Sequence, residues 1–150
     1  MKYWLYITTL DNWTISNTEK IIGFSEKNAK LTTKISKGDK GIFYIKCYGG
    51  SEKIKDPIVL ASFSIDTDFY FDNQELFTTP KNMISQKFPY RYKINNVKIF
   101  KQQVKMKNLV NNLTFFKNKK RWGTHLMGRV MVELNKDDFN YIVNSSDKGY

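Results

Sequence analysis

Apolar residues at every second position, rich in aromatic and β-branched types, mark strands in this chain, and apolar residues three and four apart mark its helices. Tyr3 to Thr8 predicts a first strand. Asp11-Asn12 supplies an N-cap for a short helix through about Lys20 that ends near Gly23, and Lys27 to Ile35 reads as a helix or a turn. The turn cluster Ser36 to Lys40 feeds a central strand, Gly41 to Cys47. Gly49-Gly50 opens a polar hairpin loop, Ile58 to Ile65 returns as the partner, and Phe69-Tyr70-Phe71 continues it at an edge.

After a loop holding Thr78-Thr79-Pro80, alternation resumes from Phe88 to Ile94 and extends over Val97 to Phe100, with Pro89 suited to an edge or a strand start. Leu109, Val110, Leu113 and Phe116 predict a short amphipathic helix over Met106 to Phe116. A basic loop follows from Lys117 to Gly123. Arg129 to Leu134 reads as the last strand, and Asn135 to Asp138 caps a C-terminal helix carrying Phe139, Tyr141, Ile142 and Val143, with a frayed tail over residues 145–150. No repeat or linker divides residues 1–150, so the pattern is a single α+β domain: a small, mostly antiparallel barrel with helices across its mouths.

Charge changes the picture next. Lys and Arg number 25 against 14 Asp and Glu, a formal net charge of +11. From Leu76 through Val132 there is no acid at all, yet 13 of the 25 cations lie there, leaving 12 basic and 14 acidic residues elsewhere. A section with that imbalance suits a polyanion. No apolar run nears the roughly 20 residues that span a bilayer, and the N-terminus lacks a cleavage-site pattern, so a cytoplasmic protein is expected.

Catalytic constellations are incomplete. The lone His125 has no second histidine, and Cys47 has no cysteine partner, so metal sites, zinc hydrolases and nucleophile triads lack parts, and neither a metal nor a cofactor is expected. His125 reads as structural or phosphate-facing. The pairs Asp66/Asp68 and Asp137/Asp138 fall where turns and caps need carboxylates, and Cys47 reads as a small core residue within its strand. Aromatics interleaved with cations fit base stacking beside phosphate neutralisation. Most must be core, but Trp13 and Trp122, at element ends, are pocket candidates.

Tyr3-Trp4, Asn12-Trp13, Gly23, Lys37-Gly38-Asp39 before Tyr44, Phe88-Pro89-Tyr90-Arg91, and Lys117 through Trp122 together resemble, in order and over the whole chain, the EVE domain family, sister to YTH domains within the PUA-like superfamily. The resemblance implies a PUA-like barrel whose pocket receives one flipped base. Relatives read methylated cytosines in DNA or 6-methyladenine in RNA. Carried over, it places Thr8, Asn12, Trp13, Ile22, Gly23, Phe24, Ser25, Tyr90 and Arg91 around the base, with the Gly23 segment a loop forming one pocket wall. Lys117, Lys119, Lys120, Arg121, Trp122 and His125 fall on the phosphates, so the partner is a nucleic acid, RNA or DNA. Ile22 departs from the tryptophan many relatives carry, which leaves Phe24 as the stacking plate or none, and Ile22 itself reads as simple core packing.

Two other classes remain open. One is a PUA-like enzyme of the ASCH type, a ribonuclease or a modified-cytidine amidohydrolase, built on Lys2 or Lys46 with Thr8 or Thr9; Glu19, Glu26, Glu52 and Glu75 are poorly placed to complete it. The other is a basic module that meets an acidic protein.

Overall fold

The computed structural model describes residues 1–47, 54–77 and 87–147. The Gly49-Gly50 and Thr78-to-Pro80 loops and the last three residues of the tail lie outside them.

Strand β1 (Tyr3–Thr8) is apolar on both faces and occupies an interior place in a sheet buried on both sides. Leu5 and Ile7 face one core while Trp4 and Tyr6 face another, as the two-residue period of a strand requires. Helix α1 (Leu10–Glu19) follows at once. Its N-cap is Thr9 rather than Asp11-Asn12: extended backbone at Thr9 turns the hydroxyl to accept from the Asn12 amide at 3.2 Å. It ends at Lys20 in the left-handed conformation, short of Gly23. That early stop releases β2 (Ile21–Phe24), a strand the sequence reading took for a loop.

Residues Glu26–Thr33 form 3-10 turns, then come β3 (Lys40–Ile45), β4 (Ile58–Ile65), the two-residue β5 (Tyr70–Phe71) and the 16-residue β6 (Tyr90–Lys105). Cys47 sits half-buried just past the end of β3, not within it. The expected α-helix over Met106 to Phe116 is instead two 3-10 turns, Met106–Asn108 and Val110–Asn112. Asparagines at 108, 111 and 112 are poor helix formers. The buried Asp138 carboxylate also takes the amides of Thr114 and Phe115 at 3.0 and 2.9 Å, holding the chain extended. The residues that carried the helical spacing, Leu109, Val110, Leu113 and Phe116, are nonetheless buried. Strand β7 (Met131–Leu134) and helix α2 (Lys136–Asp147) close the chain, and Asn135 caps α2 by accepting from the Asp138 amide at 2.7 Å. Helix α2 runs three residues into the stretch expected to fray, with Ser146 fully buried.

The strand order is β2-β6-β4-β3-β1-β7, with β5 on the edge against β6. Among the described strands only β1 and β3 run parallel, and every other pair is antiparallel. Register shifts in the β3–β4 and β4–β6 ladders bend the sheet. It curls far enough that Tyr6 on β1 hydrogen-bonds Gly23 on β2, although three strands stand between β1 and β2 in the order. Trp4, Tyr6, Phe24, Phe43, Phe63 and Tyr92 fill the inside of the curl with Trp13 from α1. Leu109 to Phe116 and α2 cover the outer face. Among the described residues β2 and β7 share no ladder, so the barrel is open along one seam.

Candidate nucleic-acid interface

The seam is where a site forms. A hollow of about 70 Å³ lies there, bounded by the end of β1 (Tyr6 to Thr9), Asn12 in the first turn of α1, Gly23, Phe24 and Ser25 from β2 and its exit, and Val130 just before β7. Lys46, at the exit of β3, joins the lining because its amide donates to the Thr8 carbonyl at 2.9 Å. Phe77 and Phe88 complete the wall and meet edge to face at 5.8 Å between centroids.

Each wall has a cause. The Tyr6 hydroxyl donates to the Gly23 carbonyl at 2.9 Å across the curl, and burial pushes its pKa up to about 12, so it stays protonated. Gly23 is required by approach: a Cβ there would stand 2.8 Å from the Phe77 ring and 2.9 Å from the Phe88 carbonyl oxygen. Arg91, 2% exposed, sits behind this wall. Its Nε donates to the Phe88 carbonyl and its Nη2 to those of Lys87 and Gln74, while Nη1 stands 3.6 Å from an Asp72 carboxylate oxygen. With the guanidinium also over the Phe77 ring, Arg91 fastens both aromatic wall residues. Lys46 is partly buried, which lowers its pKa from the ordinary lysine value.

Of the base-pocket residues read from the sequence, Thr8, Asn12, Gly23, Phe24 and Ser25 converge on this hollow. Trp13 and Ile22 do not: Trp13 packs on Phe43 at 4.8 Å in the inner core, and Ile22 is fully buried. Tyr90 stacks on Phe69 and meets Phe71 edge-on in an aromatic cluster at the sheet edge. Arg91 holds protein carbonyls from behind, as above. The sequence reading assigned no site role to Tyr6, Ile7, Phe77, Phe88 or Val130, although Phe88 stood in one of the motifs that carried the resemblance, and Lys46 and Thr9 entered it only through the hydrolase alternative. Lys46 alone carried a local signal, the first cation after an apolar strand.

The acid-free section is not one surface. Arg91 is internal, Lys98 pairs with Asp147 at 3.0 Å, and Lys105 and Lys107 both hold Asp56. Lys117, Lys119, Lys120, Arg121 and Arg129 are exposed, with no ion pair among the described residues. Lys119 donates to the Leu113 carbonyl. His125 Nε2 accepts from the Asn118 amide at 3.2 Å and its ring lies against Phe115 and Phe116, so it braces the basic loop. Trp122 leans edge-on against Phe116 at 5.8 Å.

The EVE domain family model matches residues 2–145. The chain belongs to the EVE domain family. A UPF0310 protein of Pyrococcus abyssi is 32% identical over 142 residues, covering 95% of this chain and 97% of the relative. One from Pyrococcus horikoshii is 31% identical over 143 residues, with the same shares covered. The crystal structure of the human THYN1 protein in complex with DNA containing 5-methylcytosine superposes over 100% of both chains, with a TM-score of 0.64 at 12% identity. That likeness concerns the fold, which is PUA-like as the sequence motifs implied. The EVE architecture here is a curled, mostly antiparallel sheet with one parallel pair and an open seam.

Proposed function

We propose that this EVE domain binds a nucleic-acid strand and admits one base, modified or not, into the seam hollow. The observation that carries the reading is the convergence at the seam of the polar residues Thr8, Asn12 and Ser25 with the aromatic residues Phe77 and Phe88, over a floor that includes the buried Phe24. A base needs both, apolar faces for its rings and hydrogen-bonding groups for its edge, to offset the few kcal/mol lost on leaving its stack. Lys46 at the rim and the exposed cations of residues 117–129 serve the phosphates.

The hollow is smaller than the about 150 Å³ cavity that takes up benzene in an engineered protein. A base therefore projects from the mouth or moves Phe77 and Phe88 aside as it enters. The DNA seen with human THYN1 makes 5-methylcytosine the first modification to try.

The described side chains that line the hollow are hydroxyls, an amide, a lysine and aromatic rings, the groups that hold a base by its edge and its faces. Anisotropy of short labelled oligonucleotides, with and without 5-methylcytosine, tests the proposal. Binding at low salt that weakens about tenfold or more in Asn12→Ala supports it; no binding to any single-stranded or duplex oligonucleotide at low salt refutes it.

A further inference from the structure

A second hollow, of about 270 Å³, adjoins the first and shares two of its lining residues, Ile7 and Lys46. Tyr44, Pro57 and Leu126 form its body, the half-buried Trp122 one side, and Met127, 70% exposed, its rim. We infer that this hollow takes the base adjacent, in the same strand, to the one admitted at the seam, with Lys46 on the phosphate linking the two nucleotides. The inference rests on the base-admitting reading above and extends it to a dinucleotide.

Among the described residues Lys46 is the only charged one lining either hollow. The second hollow offers mostly hydrocarbon and one indole, which suits the planar face of a heterocycle and does not suit a phosphate or a sugar. Trp122 is held by its edge contact with Phe116, so a ring stacking on it meets an ordered partner. Stacking of this kind is tolerant of base identity. Met127 is a large apolar side chain left exposed among the residues that line this recess, so a ring entering it gains contact with a pliable thioether.

Charge decides the occupant. Arg121 directly precedes Trp122 in the chain, Arg129 follows Met127 by two residues, and both are exposed. Lys117 and Lys120 lie just upstream on the same exposed loop. A recess that shares Lys46 with the seam hollow, and whose lining residues Trp122 and Met127 have exposed cations close by in the chain, fits a base carried on a polyanion better than an apolar protein segment.

The test uses the full chain and a short single strand with a central 5-methylcytosine. Compared with it are strands abasic at the 5′ neighbour, at the 3′ neighbour, or at the centre. On the wild-type protein, one neighbouring abasic site weakens binding about tenfold, the loss expected for one stacked base. Trp122→Ala weakens the intact strand similarly, and the penalty for that abasic neighbour disappears in it. Because Trp122 also packs on Phe116, Met127→Ser, at an exposed position, is the second variant and reduces the same penalty.

If neither neighbouring abasic site matters while the central one does, the second hollow is empty of base and this inference falls alone. If the central abasic site is also without effect, the seam reading falls with it.

Discussion

The Tyr6 hydroxyl donates to the Gly23 carbonyl at 2.9 Å, joining β1 to β2 across the inside of the curled sheet. This contact sets the floor of the seam hollow, and Gly23 leaves room for Phe77 and Phe88 above it. Gly23→Ala drives a methyl group into a backbone carbonyl and a ring, so it lowers unfolding free energy by about 1–3 kcal/mol in urea titrations. Tyr6→Phe removes the donor and costs about 1–3 kcal/mol, with less effect on the wall. An unchanged midpoint for Gly23→Ala contradicts the packing described.

The same tyrosine makes stability sensitive to alkali. Its folded pKa of about 12 lies above the ordinary tyrosine value of 10.0, so its contribution is complete below pH 10 and is lost as pH rises towards 12. Between those limits the unfolded state alone gives up the proton, and stability falls by about 1.4 kcal/mol per pH unit from this group. Burial likewise pushes Tyr92 up to about 12, which steepens the decline. Denaturant titrations from pH 9 to 11.5 read the slope, and Tyr6→Phe flattens it.

Asp39 secures the opposite end of the strands. Its Oδ1 accepts from the Lys2 amide, and its Oδ2 accepts from Trp4 Nε1 and the Ser36 amide, all at 3.0 Å. Gly38, at φ 94°, makes the turn that delivers it. Asp39→Asn replaces one accepting oxygen with a donor and costs about 1–3 kcal/mol, while oligonucleotide affinity, measured below the unfolding transition, stays within about twofold, since no hydrogen-bonded pair at the seam is touched. A large loss of affinity in the folded variant places Asp39 in the binding machinery instead.

Arg91→Lys distinguishes charge from geometry. A lysine keeps the cation beside Asp72 but lacks the fork that serves three carbonyls at once. The variant loses roughly 1–3 kcal/mol of stability and weakens binding through displaced Phe77 and Phe88. Wild-type behaviour in Arg91→Lys rules out the clamp.

Phosphate contacts are read from salt. Replacing Lys120 and Arg121 together by Ala lowers the log–log salt slope by about two units or slightly less. Lys98→Ala, which removes a lysine paired with Asp147, leaves it nearly unchanged. Equal effects from both changes point to diffuse attraction by net charge alone.

The strands from Tyr3, Gly41 and Ile58 and the C-terminal helix were legible because their side-chain periods are set by burial on fixed faces. β2 was not: Ile21 to Phe24 is short, contains a glycine, and gains strand character only from its pairing with residues 90–93 of β6. The Met106 to Phe116 segment has a helical apolar spacing that its asparagines and the distant Asp138 override. The seam hollow was half legible. Thr8, Asn12 and the Gly23 segment lie near one another in sequence, so order of motifs was enough to group them. Phe77, Phe88 and Val130 arrive from distant parts of the chain, and only the curl of the sheet brings them in. Trp13 and Ile22 look like pocket residues by position, yet the alternation of strand and helix faces turns both into the core.

Amide chemical-shift mapping during titration with a short 5-methylcytosine strand tests the central claim most directly. The account predicts the largest changes at Thr8, Asn12, Phe24, Ser25 and Lys46, lost when the central nucleotide is abasic. Changes confined to residues 117–129 and indifferent to the missing base would contradict it.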